Sequence, residues 1–347
     1  MFFGSDNWAG AAPEIMEAVA RANNDYAPAY GDDALTRQLT QRFNDVFETE
    51  CSVFLVATGG AANGLALSVL TPPYGAVLCQ DGSHVQTDEC GGPEFFTGGA
   101  KLVGVAGQLG KFDRDALQTT LEQFPNHPPH SPVFSAVSLT QGTECGTLYS
   151  TDEIAAISEF AHSREMAVHM DGARFANAVA GSDCSAADLT WRTGVDVLSF
   201  GGTKNGCMAA EAVVFFNPAL VRDFEHRRKR AGQLFSKMRF VAAQFDAYLT
   251  DDLWLRLAGH ANGMAQRLST GLAALTDVQV SYPTEINEVF ATMAPTKSEA
   301  MRKAGAVFFP WVLPGDEAGG QMNRMIASFR TSVEEVDAFL DLASATV

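Results

Sequence analysis

Short apolar runs alternate with helical patterns through the first two thirds of this 347-residue chain. Apolar residues recur at helical spacing between several of these runs, while the runs themselves are typical of buried strands. Strands that alternate with helices form a mostly parallel sheet covered by helices. The predicted strands span residues 53–57, 76–79, 101–105, 133–139, 167–171, 195–200 and 212–216, and helices are predicted over 13–22, 33–47 and 58–70 and from an N-capping Thr151.

The pattern changes after Phe216. A helical stretch over 218–267, broken near Gly232 and Asp251, precedes short strands at 278–282, 288–293 and 322–329 and a closing helix from Ser332. Because 46% of the residues are hydrophobic, the chain can build one large core and one smaller core. We therefore predict a large domain over 1–244, including the N-terminal segment, and a small α/β domain over 245–347.

Charge and cysteine usage exclude several classes of protein. A formal net charge of −17 argues against nucleic acid or an anionic membrane as a partner. The basic run at 226–230 is either a solvated helix face or an anion site. The six cysteines form no CxxC pair, and no signal peptide or apolar run of about 20 residues is present. These features predict a cytoplasmic protein with reduced thiols.

Polar residues follow several predicted strands directly. Lys204 comes after the run at 195–200 and a Gly-Gly turn, and Asp171 ends the run at 167–171. Thr58 and His84 also lie just after strands. Open parallel sheets bind ligands beyond the carboxyl ends of their strands, so these side chains are expected to converge on one crevice.

A lysine and an aspartate at such strand ends suggest a pyridoxal phosphate site. The lysine would form the Schiff base and the aspartate would hold the protonated pyridine nitrogen, although Asp171 could instead cap a helix near Ala173. Arg174 is either a fork for a substrate carboxylate or half of a surface ion pair. His84 could stack on a cofactor, act as an acid or base, or be structural.

Two further features allow more than one interpretation. The turn over 58–63 could bind a phosphate through backbone N–H groups, or it could be a close-packed strand–helix turn. His127 and His130 flank two prolines, but a zinc site would need a third ligand, and none is evident at sensible spacing. We predict no catalytic metal.

With these residues assembled, almost the whole chain resembles the pyridoxal phosphate-dependent threonine aldolases of the aspartate aminotransferase-type fold (fold type I). It is most similar to their bacterial low-specificity L-threonine aldolase branch. The fold implied has a large domain with a mostly parallel mixed sheet and a smaller C-terminal α/β domain. The matching stretches are 5–7, 29–33, 58–63, 83–84, 87–91, 169–175, 200–206 and 231–239.

The resemblance implies a role for each site residue. Lys204 would hold the cofactor, Asp171 its ring nitrogen, and His84 would stack on the ring. The resemblance implies that the phosphate is bound by Gly59, Gly60 and Arg239, and the substrate carboxylate by Ser5, Arg174 and Arg324. His84 or His130 would lie near the substrate hydroxyl. Tyr30 would contact the active site of the neighbouring subunit.

The implied activity is retro-aldol cleavage of L-threonine, L-allo-threonine or phenylserine to glycine and an aldehyde. The enzyme would be a homo-oligomer, a dimer of dimers with active sites shared between subunits. Where the other branch of the family carries Glu-Asn-Thr-His-Asn, this chain has Thr-Gln-Gly-Thr-Glu at 140–144. It also has Gln-Leu-Phe-Ser-Lys at 233–237 in place of a glycine-rich run.

Rival functions use some of the same residues. A β-eliminating lyase or an aminotransferase of the same fold would need the same lysine and aspartate. A non-catalytic, cofactor-binding regulatory protein would not need the two arginines as well. A Rossmann dehydrogenase would require a Gly-x-Gly-x-x-Gly fingerprint, which the chain lacks.

Overall fold

A seven-stranded sheet forms the centre of the protein. The computed structural model describes residues 1–125, 127–311 and 320–346. The strand order is β1-β7-β6-β5-β4-β2-β3, and β7 alone runs antiparallel to its neighbours. The strands are β1 (Ser52–Val56), β2 (Gly75–Gln80), β3 (Lys101–Val105), β4 (Val133–Thr140), β5 (Ala167–Gly172), β6 (Val197–Gly201) and β7 (Glu211–Phe215).

These bounds confirm the predicted mostly parallel sheet and shift several strand ends. β6 begins at Val197, two residues later than predicted. Just before this strand, Asp196 joins neighbouring elements through its side chain: its Oδ2 accepts the Val168 N–H at 2.8 Å and lies 2.9 Å from His162 Nε2. At the carboxyl edge of the sheet, β1, β2, β4, β5 and β6 all end on the same side.

Helices cover the sheet and connect its strands. Thirteen α-helices lie in the described ranges: α1 (Pro13–Ala22), α2 (Ala34–Phe47), α3 (Gly59–Leu70), α4 (His84–Thr87), α5 (Gly92–Thr97), α6 (Arg114–Glu122), α7 (Thr151–His162), α8 (Phe175–Ala180), α9 (Phe224–Arg230), α10 (Arg239–Leu249), α11 (Leu253–Ala273), α12 (Pro295–Lys303) and α13 (Val333–Ala345).

Helix ends follow local chemistry. The N-cap of α7 is Ser150 and not the predicted Thr151, since Ser150 and Glu153 form a reciprocal capping box. The predicted breaks near Gly232 and Asp251 are confirmed. Gly232 has φ 73°, and Asp251 and Asp252 have φ 49° and 53°, which an α-helix cannot continue through.

A second, antiparallel sheet follows in the order β10-β11-β9-β8. Its strands are β8 (Val278–Val280), β9 (Glu288–Met293), β10 (Phe309–Pro310) and β11 (Gln321–Ile326). It has its own apolar core, which includes Phe3. The Phe3 N–H donates to the Val307 carbonyl at 2.8 Å, so the first residues pack with this sheet although the predicted boundary groups them with the larger unit. The division at 244/245 stays a prediction.

An aromatic cluster supports the strand that leads to Lys204. The ring of Phe200 packs against Phe43, Phe245 and Trp254 at centroid distances of 5.6, 5.8 and 5.7 Å. The contact with Phe43 is edge-to-face, and such aromatic contacts stabilise a core beyond their buried area alone, so the end of β6 has a well-defined position. None of the helices in the described part of the chain is long and apolar enough to cross a lipid bilayer.

Candidate active site

A cavity of about 730 Å³ opens at the carboxyl edge of the large sheet. Thr58, His84, Asp171 and Lys204 all line it, as the strand-end argument predicts. The small sheet closes the other side with Glu288 and Arg324, and the N-terminal segment adds Ser5. The cavity is therefore lined by residues from the N-terminal segment and from both sheets.

The turn after β1 presents open backbone to the cavity. Thr58 caps α3, a twelve-residue helix, and its hydroxyl accepts the Ala61 N–H at 3.3 Å. A Cβ built on Gly59 would meet no atom within 4 Å, and one on Gly60 would meet only Glu89 at 3.6 Å. Space beside the N-terminus of a helix suits an anion such as a phosphate.

Asp171 caps the turn after β5 and also lines the cavity. Its Oδ1 accepts the Ala173 N–H at 3.0 Å, which caps the following turn. Its Oδ2 accepts an Asn63 amide hydrogen at 2.8 Å and faces the cavity. The buried carboxylate is thus held in place by one neighbour on each oxygen, and it remains available to a cationic ligand group.

Lys204 lies in a 3-10 turn, Thr203–Asn205, directly after β6. Asn205 anchors this turn by donating to Tyr248 Oη at 2.7 Å and to the Trp254 carbonyl at 2.8 Å. Glu211, the first residue of β7, accepts the Gly202 N–H at 3.2 Å. Burial raises the pKa of Glu211 to about 7, and the nearby Lys204 partly opposes that shift.

His84 is held by two acids. Its Nδ1 is hydrogen-bonded to Glu89 Oε1 at 2.9 Å, and its backbone N–H donates to Glu144 Oε1 at 2.8 Å. The bond to Glu89 raises the pKa of His84, against an opposing effect of burial. Glu89 Oε1 also accepts from Asn63 at 2.8 Å, so one amide connects Glu89 with Asp171.

The two arginines differ in how they are paired. Arg174 forms two hydrogen bonds with Asp6, at 2.8 and 3.2 Å, and lies 3.4 Å from Glu288. Burial alone would lower the pKa of Arg174, but Asp6 and Glu288 hold it above its usual value. The guanidinium of Arg324 lies 4.1 Å from the centre of the Trp311 ring, and its buried Nε has no acceptor among the described residues.

Three predicted site residues lie outside this cavity. Tyr30 is 50% exposed beneath Lys229, and Arg239 donates to the Asp25 carbonyl at 3.1 Å. His130 is exposed and precedes β4, whose amino end lies at the edge of the sheet opposite the cavity. The expectation of His130 beside the substrate is therefore not met within its own chain. These three residues could act at an active site only if they reached the cavity of a second copy of the chain, so their roles stay predictions.

The basic run is a solvated helix face at His226, Arg227, Lys229 and Arg230, but not at Arg228. Arg228 in α9 is buried and donates to the Leu55 carbonyl at 2.9 Å, which links the helix to β1. Burial lowers its pKa to about 10. This part of the run is structural, and it is neither a solvated face nor an anion site.

Buried acids are the residues that the sequence patterns missed. Glu144, Glu211 and Glu288 line the cavity and Glu89 contacts its lining residues His84 and Asn63, yet none follows a strand in the conspicuous way that Asp171 does. Glu89 lies in a stretch that carries the family resemblance, which is the one available signal. The other three look like ordinary acidic residues until the strands are assembled.

Comparison with known proteins decides the family. A model of the family described as beta-eliminating lyase matches residues 3–296. The chain belongs to this family. It is 44% identical to the low specificity L-threonine aldolase of Pseudomonas aeruginosa, over 96% of this chain and 94% of that protein. A second relative of the same name, from a Pseudomonas species, is 45% identical over 90% of each chain.

Solved structures agree with this placement. The threonine aldolase of Leishmania major superposes with a TM-score of 0.91 at 27% identity, covering 98% of each chain. The chain shares its fold with the serine palmitoyltransferase of Sphingomonas wittichii. The two superpose with a TM-score of 0.72 at 15% identity, covering 99% of this chain and 86% of that one. Within the family the chain is a lyase that groups with the threonine aldolases, and its cofactor is pyridoxal phosphate.

The cavity fits that cofactor. It offers an amine at Lys204, a buried carboxylate at Asp171 and an open helix N-terminus beside Gly59. Asn63 Oδ1 and Arg324 Nε are buried there with no hydrogen-bond partner among the described residues. Buried polar groups without partners are costly, so these atoms indicate that a polar ligand completes the site.

Proposed function

We propose that this protein cleaves L-threonine, L-allo-threonine and related β-hydroxy-α-amino acids such as phenylserine into glycine and an aldehyde. The supporting observation is the convergence of Lys204, Asp171 and two arginines on one cavity, in a chain 44% identical to a low specificity L-threonine aldolase. The reaction breaks the bond between Cα and Cβ of the substrate.

Each group around the cofactor has one task. Pyridoxal phosphate supplies an electron-withdrawing ring conjugated to the substrate Cα. Lys204 would hold it covalently, and Asp171 would keep its ring nitrogen protonated because a buried carboxylate favours a cationic partner. Gly59 and Gly60 bind the phosphate through backbone N–H groups, and His84 lies against the ring.

The arginines select which bond breaks. Arg324 has a buried Nε without an acceptor among the described residues, so it is the freer fork for the substrate carboxylate. Arg174 is already engaged by Asp6 and supports that carboxylate from a fixed position, with Ser5 beside it. A carboxylate held at this place would fix the orientation of the Cα–Cβ bond relative to the cofactor, and positioning of this kind decides which bond breaks.

The structure of the cavity favours proton transfer from the substrate hydroxyl to a group near His84. His84 borders the cavity, and its ring is oriented by Glu89. A base near His84 would accept that proton, directly or through a water. A base placed there leaves Lys204 free to hold the cofactor.

The test combines one variant with product analysis. Lys204→Ala should abolish turnover and remove the visible absorbance of the bound cofactor. Lys303→Ala is the matched control, because Lys303 is a surface residue that pairs with Glu299 at 2.6 Å within α12. An active Lys204→Ala enzyme with normal absorbance would contradict the assignment.

Products separate the rival activities. Threonine, allo-threonine and phenylserine should each give glycine and an aldehyde. A keto acid formed together with ammonia would point to a β-eliminating lyase. A keto acid formed without ammonia, and only when a second keto acid is added as amino acceptor, would point to an aminotransferase.

Assembly and location complete the proposal. A homo-oligomer, a dimer of dimers, would allow Tyr30 and Arg239 to reach the active site of a neighbouring subunit. Arg239 retains a buried Nε without an acceptor in the described part of the chain, which suits a role toward another copy or its ligand.

No disulfide joins the six cysteines, in keeping with a reducing, cytoplasmic setting.

A further inference from the structure

Glu144 borders the active-site cavity with one unsatisfied oxygen. It follows β4, in the segment 140–144 where the chain departs from the other branch of the family. Its Oε1 accepts the His84 N–H at 2.8 Å and the Thr140 hydroxyl at 3.1 Å. Its Oε2 is buried and has no hydrogen-bond partner among the described residues. One oxygen therefore orients the carboxyl group, and the other is left without a partner in a residue that borders the cavity.

Glu144 also borders a second cavity, of about 340 Å³. Exposed residues at 107–109 line that cavity, so it communicates with solvent. Gly82 and Glu144 line both cavities. A carboxyl group in such a shared wall can exchange a proton with the active site on one side and with water on the other.

The surroundings of Glu144 bring the pKa of its carboxyl group close to neutral pH. Burial raises the pKa of Glu144 to about 7, and the negative charge of Asp171 adds to the shift, while the bonds from His84 and Thr140 oppose it. The other titratable groups that interact with it are Arg174, Cys79 and Tyr149. A proton acceptor works best when its pKa is near the working pH.

The geometry points to Glu144 as a proton-transfer group of the aldolase reaction, taking the proton of the substrate β-hydroxyl and releasing it through the second cavity. This step rests on the proposed function. The O–H bond breaks and its proton moves to Oε2, and the electron pair left on oxygen forms the carbonyl bond of the aldehyde. The electron pair of the Cα–Cβ bond stays with the glycine fragment, which takes up a proton afterwards.

The test compares two substitutions in the full-length holoenzyme. Glu144→Gln keeps an amide oxygen for the His84 N–H and the Thr140 hydroxyl but cannot carry the proton. Glu144→Ala removes both functions. We expect Glu144→Gln to lower the rate of threonine cleavage about 10²-fold or more. It should leave unchanged the affinity for pyridoxal phosphate and for glycine, which has no hydroxyl group, as followed by visible absorbance.

An infrared titration supplies a readout that is independent of turnover. In the full-length protein without cofactor, the difference between wild type and Glu144→Gln should contain a protonated carboxyl band that disappears as the pH rises through about 7. Absence of that band would overturn the assignment.

The kinetic outcomes also separate the two proposals. Wild-type cleavage rates in Glu144→Gln would overturn the role of Glu144 and leave the proposed function standing. Weaker cofactor and glycine binding in Glu144→Gln would show a structural role instead. A wild-type enzyme that releases no aldehyde from threonine would overturn the proposed function itself, and this step with it.

Discussion

Asp6 and Arg174 form a two-bond ion pair in the wall of the active site. Their side chains are 1% and 11% exposed, and the two N–O distances are 2.8 and 3.2 Å. Asp6→Asn would keep the shape of the side chain and remove its charge. Arg174 would then lie buried with Glu288, 3.4 Å from its Nη2, as its remaining charged partner.

The expected loss of stability follows from burial. Removing one partner of a buried pair costs about 3–5 kcal/mol, because the other charge is left uncompensated away from water. Asparagine can still accept one hydrogen bond from Arg174, and Glu288 retains part of the charge pairing. The free energy of unfolding should therefore fall by an amount at the lower end of that range, about 3 kcal/mol.

Urea denaturation followed by circular dichroism measures this loss. The control is Asp337→Asn, because Asp337 and Arg267 have the same two-bond geometry, at 2.8 and 2.9 Å, on side chains that are 45% and 47% exposed. Exposed pairs contribute about 0–1 kcal/mol. Equal losses in the two variants would refute the reasoning, since burial is the principal difference between the pairs.

The loss of unfolding free energy in Asp6→Asn should also depend on pH. Burial raises the pKa of Asp6, but Arg174, Lys204 and hydrogen bonds from Arg174 and Asn287 outweigh it and lower the pKa below the ordinary value of 3.8. A lowered folded-state pKa contributes stability that is fully present above the unfolded value and is lost as the pH falls through the folded value. The difference between wild type and Asp6→Asn should shrink in that acidic range.

Two further predictions concern the cleft. Glu89→Gln should lower the pH at which His84 titrates, because the bond to Glu89 raises the pKa of His84. NMR of the imidazole ring protons measures this change. The signals of His260 serve as the control and should be the same in both proteins. Arg324→Ala should weaken threonine binding by about 1.5–3 kcal/mol, the contribution of hydrogen bonds to a charged group, and should spare cofactor affinity in an absorbance titration. Loss of the cofactor with unchanged threonine affinity would contradict the assignment of Arg324.

The strand segments along the chain and the position of Lys204 after a strand could be predicted because they depend on local pattern. Apolar runs end where polar residues begin, and those ends meet at one edge of a parallel sheet. The same pattern could not place His130, which lies in a loop before a strand and so faces the opposite edge. The partner of Arg174 could not be predicted either, since Asp6 is 168 residues away in the chain.

The sequence by itself determined the alternation of strands and helices, the lysine and aspartate at the strand ends and the resemblance to the threonine aldolases. Only the tertiary structure decided which carboxyl groups are buried. Glu144, Glu211 and Glu288 owe their raised pKa values first to burial, and burial depends on every element packed around a group. Local spacing carries no record of that packing, so the protonation chemistry of the cleft becomes visible only in three dimensions.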